Sequence, residues 1–479
     1  MVSARSRVVL AVVGTAVLQY FGTGLRPIPW LTWLAPLPIL LLAPAVSVRT
    51  AAAAAFVAHL LGGANVWHYY AFDLGLPPPL VLLTLVLFPS LLTGAVLLFR
   101  AALLRGHGPV AAALFPAAVA GAEYVVGLAT PAGANWSLAP TQSDLLPVLQ
   151  VASLTGGWGV SFLVALVPAV VAVVVTTGRS GAALGGVLVL GLALGYGFVR
   201  LATVDGVTSP RITLLSARTD QDEVRMDTPA GRDLVAAYVG WLTTAPDDGT
   251  RVVVLPEKGF QADDTTLPTL LDPLSAAARA RGVDLVVGVK LRSAGALRNV
   301  ALYLSGQGDE PVVYTKNHLV PGLEDAFTAG TDLAFAPGRI GIAVCADLGH
   351  PEFGRAYGRA NAGLLVVPAL DFTVDAWSQS RVQVLRGVES GFSVARAAHL
   401  GYLTLSDPTG RVVAQAATGS ATPFVAVSGT LPMPEGGTVY ARWGDWFAWL
   451  CLLLVVGYPT WWRSRSGRRS AISTSGSRS

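Results

Sequence analysis

The chain has 479 residues, 53% of them hydrophobic and only 13% charged, with a formal net charge of +4. An average soluble protein carries roughly 25% charged residues, so a wholly soluble globule is excluded. The charge is also segregated: of 29 acidic residues, 25 fall between positions 201 and 440, and the first 200 residues hold only Asp73, Glu123 and Asp144.

A nearly uncharged block of about 200 residues thus precedes a polar stretch of about 240, each long enough for a core of its own. The first block divides into apolar segments of membrane-spanning length, for which a helix needs about 20 residues. They are expected near 8–23, 29–46, 51–69, 79–99, 109–127, 159–177 and 182–199, with an eighth near 445–462. Arg5 and Arg7 before the first segment imitate a signal peptide. No small-residue cleavage site follows, and further apolar spans come at once.

Charge placement predicts the orientation. Arg5 and Arg7, then Arg49, Arg100 with Arg105, and Arg179 fall in alternate turns, while the intervening loops hold Arg26, Asp73 and Asp144. Arg463, Arg465, Arg468, Arg469 and Arg478 follow the last segment. Eight spans with the cation-rich flanks inside place both termini in the cytoplasm and the polar domain outside a cell membrane. The expected organisation is a seven-helix membrane bundle over 1–200, a catalytic domain over 201–440, an eighth span over 441–463, and a disordered basic tail over 464–479. Cations beside anionic lipid account for the net charge without a nucleic-acid partner. No metal-ligand cluster or phosphate-binding glycine loop stands out, so neither a metal nor a cofactor is expected.

In the polar stretch, apolar strand-like runs at 211–217, 252–256, 284–289, 299–304, 311–315, 339–345, 363–368 and 402–406 alternate with helical patterns. The helices are expected at 229–244, 267–281, 353–361 and 376–391. Three of the runs end in reactive groups. Val252-Val-Val-Leu-Pro leads to Glu257, Val312-Val-Tyr-Thr leads to Lys316, and Arg339-Ile-Gly-Ile-Ala-Val leads to Cys345. A carboxylate, an ammonium and a thiol at three strand ends are the parts of a base-activated nucleophile with a cationic stabiliser. The other cysteine, Cys451, lies in the eighth apolar segment, so the two cannot form a disulfide within the polar domain. Glu123, inside the fifth span, is a functional candidate because carboxylates in membranes are costly. Trp443, Trp446 and Trp449 beside the last span read as an interfacial belt.

These residues resemble the Glu-Lys-Cys triad of the nitrilase superfamily. The wider pattern resembles its membrane-embedded branch, the bacterial apolipoprotein N-acyltransferases. It is carried by Tyr314-Thr-Lys-Asn-His-Leu-Val-Pro321 with Glu324, by Asp375-Ala-Trp377, and by Gly437-Thr-Val-Tyr440-Ala-Arg-Trp-Gly-Asp445-Trp446. In the apolar half it is carried by Trp136-Ser-Leu-Ala-Pro-Thr-Gln142 and Leu154-Thr-Gly-Gly-Trp158. The resemblance implies a polytopic helical membrane bundle joined to an extracytoplasmic α/β nitrilase-like αββα sandwich. It implies Glu257, Lys316 and Cys345 as catalytic residues, Glu324 and Asp347 as supporting carboxylates, and Trp136 and Trp377 at the substrate. The implied partners are a phospholipid acyl donor and a diacylglyceryl lipoprotein acceptor.

Three positions depart from that family's pattern. Cys345-Ala346-Asp347 replaces Cys-Tyr-Glu, Gly322-Leu323-Glu324 replaces Phe-Gly-Glu, and Lys258 follows the expected base where a small hydroxyl residue is common. The first departure looks more like soluble amidases, which leaves a membrane-anchored nitrilase-type amidase as the second reading. A transporter is the third, and the scarcity of intramembrane ionisable residues counts against it.

Overall fold

The computed structural model describes residues 3–219, 222–419 and 422–459. Up to Thr203 the described chain is helical, and four helices there are long and apolar enough to cross a membrane: Pro78–Leu104, Gly108–Ala129, Gly157–Thr177 and Gly181–Thr203. Leu184, Val187, Leu188 and Leu192 lie exposed on the last of these. Their three- and four-residue spacing makes an apolar stripe suited to lipid rather than water.

Of the other expected spans, the first is one unbroken helix and the next two are broken. Ala4–Gly22 is one helix of 19 residues. The 29–46 segment splits into Pro29–Thr32, Leu37–Leu42 and a 3-10 turn at Ala43–Ala45. Pro36, Pro38 and Pro44 explain the breaks, since each lacks the N–H of an interior helical residue and clashes with the preceding turn. The 51–69 segment is helical over Val48–Gly62 and then tightens into a 3-10 turn at Gly63–Val66. The final apolar helix is described over Trp446–Pro459. The basic tail expected over 464–479 lies outside the described residues.

Beyond Thr203 the chain forms two stacked sheets with helices on both outer faces. The first has eight strands, with Phe424–Gly429, Arg211–Ala217, Thr250–Val254 and Asp284–Ser293 adjacent in that order, extended through Ala296–Leu304 to Val312–Thr315. The second has six, ordered Val412–Ala417, Tyr402–Ser406, Ser393–His399, Leu364–Leu370, Ile340–Ile342 and Ala334–Ala336. Parallel pairs occupy the middle of both sheets. Parallel strands covered on both faces read as near-continuous apolar runs, as Leu364-Leu-Val-Val does.

The period of two along each strand divides the residues between two cores. Ile212, Leu214, Val252 and Val254 point between the sheets and meet Ile342, Leu364, Val366 and Val394. Leu215, Val253 and Leu255 point outward against the helices Pro229–Thr244 and Leu267–Arg281. Pro351–Arg359 and Ala376–Ser390 cover the second sheet on the side toward the membrane helices. The C-terminal half is therefore a helix–sheet–sheet–helix sandwich.

Polar contacts fasten the sandwich to the helices. Arg355 pairs with Asp445 at 2.8 Å, and Trp158 Nε1 donates to Asp445 at 2.9 Å. The backbone N–H of Gly157 donates to Glu389 at 2.6 Å. Gly156 has φ +69°, and a Cβ there would stand 2.5 Å from the Tyr440 ring. Only glycine tolerates both conditions.

Candidate active site

Glu257, Lys316 and Cys345 each follow a strand of the sandwich, and the close of those strands brings them to one place. Glu257 sits in the turn after Thr250–Val254, where its N–H donates to Ala369 O of the opposite sheet at 3.3 Å. Gly288 makes room for that turn, since a Cβ on it would approach Glu257 Cα to 2.6 Å. Lys316 follows Val312–Thr315, tied by its N–H to Asn299 O at 2.9 Å.

The run expected as a strand through Cys345 stops earlier, at Ile342. Cys345 opens a 3-10 turn over Cys345–Gly349 and has φ +39°. Asp347 causes the change. Its Oδ2 accepts the Val344 N–H at 3.0 Å and the Tyr314 hydroxyl at 2.6 Å. Its Oδ1 accepts the N–H groups of Asn317 at 3.1 Å and His318 at 2.8 Å. One fully buried carboxylate thus clamps the nucleophile turn to the segment carrying Lys316. No hydrogen bond joins Asp347 to the Lys316 ammonium among the described residues.

The charged groups form a chain. Lys316 Nζ lies 2.9 Å from Glu257 Oε1 and 2.8 Å from Glu324 Oε2, and all three side chains are at most 2% exposed. Asn299 Nδ2 bridges the two carboxylates, at 2.6 Å from Glu257 Oε1 and 2.7 Å from Glu324 Oε1. Glu324 also accepts the Val320 N–H at 2.9 Å and pairs with Lys258 at 3.3 Å. Four donors therefore saturate Glu324. Burial alone would raise its pKa, but Lys316 and Lys258 outweigh it and hold the carboxyl down at about 2. It stays ionised and cannot serve as a base. Burial likewise works against the Lys316 ammonium, yet Glu257 and Glu324 prevail and raise its pKa above the usual lysine range.

Cys345 lies partly buried, with Sγ 3.6 Å from Leu370 O. Burial first and the Glu257 charge second push its thiol pKa up, and the Lys316 ammonium opposes them. The resting group is therefore a thiol, and any attack through it would need a base to take its proton. The buried ion pair Arg396–Asp371, at 2.9 Å, also faces the thiol electrostatically.

Trp136 and Trp377 line one cleft together with Thr23, Gly24 and Ser378. Trp136 also packs edge-on to Tyr69 and Tyr70, with ring centres 5.7 and 5.2 Å away. Trp136 continues into a cavity of about 170 Å³ within the helices, lined mostly by apolar side chains such as Leu85, Phe88, Leu92, Phe115 and Val119. Glu123 lines the same cavity and accepts the Leu138 N–H at 2.8 Å.

Asn299 carries a sequence signal of its own only as an amide opening the apolar run Asn299-Val-Ala-Leu-Tyr-Leu304, which is buried throughout. A polar side chain fully buried in a strand needs partners, and here they are the two active-site carboxylates. The Arg396–Asp371 pair has no local sequence signal, because Arg396 lies mid-strand in Ser393–His399 and Asp371 just past the end of Leu364–Leu370.

Known proteins share both halves. Residues 215–428 match the carbon-nitrogen hydrolase family, so the sandwich is that of a nitrilase-like enzyme. Residues 15–170 match the apolipoprotein N-acyltransferase N-terminal domain. An apolipoprotein N-acyltransferase of Geobacter metallireducens is 29% identical over 488 residues, covering 91% of each chain. One of Gloeobacter violaceus is 27% identical over 366 residues, covering 70% of this chain and 68% of its own. Among solved structures, an amidase from Nesterenkonia sp. AN1 is 22% identical, with a TM-score of 0.39 over 49% of this chain and 96% of its own. The likeness to apolipoprotein N-acyltransferases thus runs through both halves of the chain.

Proposed function

We propose that this protein moves a fatty acyl group from a phospholipid to the N-terminal α-amine of diacylglyceryl-cysteine apolipoproteins, through a thioester on Cys345. The observation that carries the mechanism is the Lys316 ammonium held between the carboxylates of Glu257 and Glu324 beside that thiol. Both hydrogen bonds to Glu257 fall on Oε1, which leaves Oε2 to accept a proton.

In the first half-reaction Cys345 Sγ attacks the ester carbonyl carbon while its proton passes to Glu257. Lys316 and the backbone N–H of Ala346 stabilise the oxyanion. One such donor is worth about 100- to 1000-fold in rate. Collapse breaks the ester C–O bond, and Glu257 returns the proton to the leaving lysophospholipid oxygen. In the second half-reaction the α-amine attacks the thioester and gives a proton to Glu257. The C–S bond breaks, the thiol regains the proton, and an amide is released.

The cleft at Trp136 and Trp377, which shares Thr23, Gly24, Trp136 and Leu138 with the wall of the apolar cavity, suits an acyl chain entering from the membrane. The catalytic unit is assigned to 201–440, extracytoplasmic, between a helical bundle over 1–200 and a closing span over 441–463. Eight spans with both termini cytoplasmic follow from the positive-inside rule. Relatives matched over most of the chain favour acyl transfer over the hydrolase reading. The test is mass spectrometry of lipoprotein N-termini from cells with and without the gene. Loss of the N-acyl group on deletion is expected, and unchanged N-acylation would overturn the assignment.

A further inference from the structure

Lys258 follows Glu257 directly, and both side chains enter the same buried cluster. Successive side chains of an extended chain point to opposite sides. Here the backbone turns at Lys258, with φ +49°, a region that non-glycine residues seldom occupy. The surroundings over-determine this conformation. The Lys258 ammonium lies 3.3 Å from Glu324 Oε1 and 3.8 Å from Glu223 Oε1, and 5.6 Å from the centre of the Phe327 ring. Lys258 is 9% exposed.

The formal charges decide what this lysine does. Without it, the two carboxylates of Glu257 and Glu324 would share the single ammonium of Lys316, leaving one uncompensated negative charge. The adjacent Cys345 must itself become negative on attack, and the tetrahedral oxyanion after it. With Lys258 the four groups sum to zero. Lys258 also draws on Glu324 from the oxygen that Lys316 does not touch. The other charges nearby form pairs of their own, Glu223 with Lys290 and Asp371 with Arg396.

Resting on the triad assigned above, we infer that Lys258 is a positioning residue that neutralises Glu324 and so frees the field of Lys316 for the thiolate and the oxyanion. Its place is behind the reacting atoms, and it acts through Glu324. A small hydroxyl residue here would leave the cluster one charge more negative.

The test uses the full-length protein in nanodiscs, on a Cys451→Ala background, with iodoacetamide as the probe of Cys345. Lys258→Met should cut the alkylation rate at about pH 8 by about tenfold, the effect of about one pKa unit on thiolate content. Lys258→Arg should keep the rate within about twofold. Adding Glu324→Gln to Lys258→Met restores the charge sum and should recover most of the loss. A purely structural lysine would show no such rescue. Should Lys258→Met fail to fold, Lys258→Gln removes the charge with a polar tip and reads the same effect. Parental rates in the Met or Gln variant, or no recovery in the double variant, would overturn the inference while leaving the triad in place. Full acyl transfer by a Cys345→Ala variant would instead overturn the triad, and this inference with it.

Discussion

The amide of Asn299 lies 2.6 Å from the carboxylate of Glu257 and donates to the same oxygen that receives the Lys316 ammonium. The proposed base is thereby fixed on one side, with its second oxygen left for proton transfer. Asn299→Ala removes this donor and the one to Glu324 at once. Leaving buried acceptors short of partners costs about 1–3 kcal/mol. We expect a matching fall in thermal stability and roughly tenfold slower acyl-enzyme formation, read by single-turnover labelling with phospholipid.

Cys345→Ala should abolish both acyl transfer and the acyl-thioester trapped from labelled phospholipid. Cys451→Ala, in the final apolar helix, should leave both intact. A Cys345→Ala variant with full activity would refute the mechanism.

Glu257→Gln and Glu324→Gln separate the base from its support. The first keeps size and hydrogen bonding but accepts no proton, so both half-reactions should slow by about 100- to 10,000-fold. The second removes a charge from a saturated position and should be milder, with slow thioester formation. Normal acylation by Glu257→Gln, with failure only when a diacylglyceryl peptide is added, would show that another group deprotonates the thiol.

The depressed pKa of Glu324 has a consequence for acid stability. Its folded value near 2 lies below the ordinary 4.5, so ionised Glu324 contributes stability that is fully present above about pH 4.5. That contribution declines as pH falls from there and is lost near pH 2. The difference in Tm between the parent and Glu324→Gln should therefore shrink across this window. A difference that stays constant from about pH 6 to about pH 3 would exclude the linkage.

Asp347→Ala leaves the N–H groups of Val344, Asn317 and His318 and the Tyr314 hydroxyl without their acceptor. The expected cost is about 3 kcal/mol or more, seen as a lower Tm. Because the turn holds Cys345, its alkylation rate should also change in Asp347→Ala.

Topology is checked by reporter fusions. A fusion after Leu201 should report from outside the cytoplasm and one after Arg465 from within it. Both on the same side would refute the eight-span arrangement.

The two-part organisation was legible in the sequence, since segregated charge and apolar run length are local properties of the chain. Strands such as Arg211–Ala217 and helices such as Leu267–Arg281 were equally legible, because their periodicity reports which face is buried. Glu257, Lys316 and Cys345 stood out as reactive groups at the ends of apolar runs. How they are wired depends on the packed fold. Asn299 joins two carboxylates 42 and 25 positions away, and Asp347 pulls Cys345 out of its expected strand by hydrogen bonds to a segment about 30 residues distant. Lys258 read as a departure beside the base until its positive φ turned it onto Glu324. Hydrogen bonds and ion pairs act through space between strand ends that only the packed sheets bring together. Local pattern shows which groups are reactive, and the fold alone sets which of them meet.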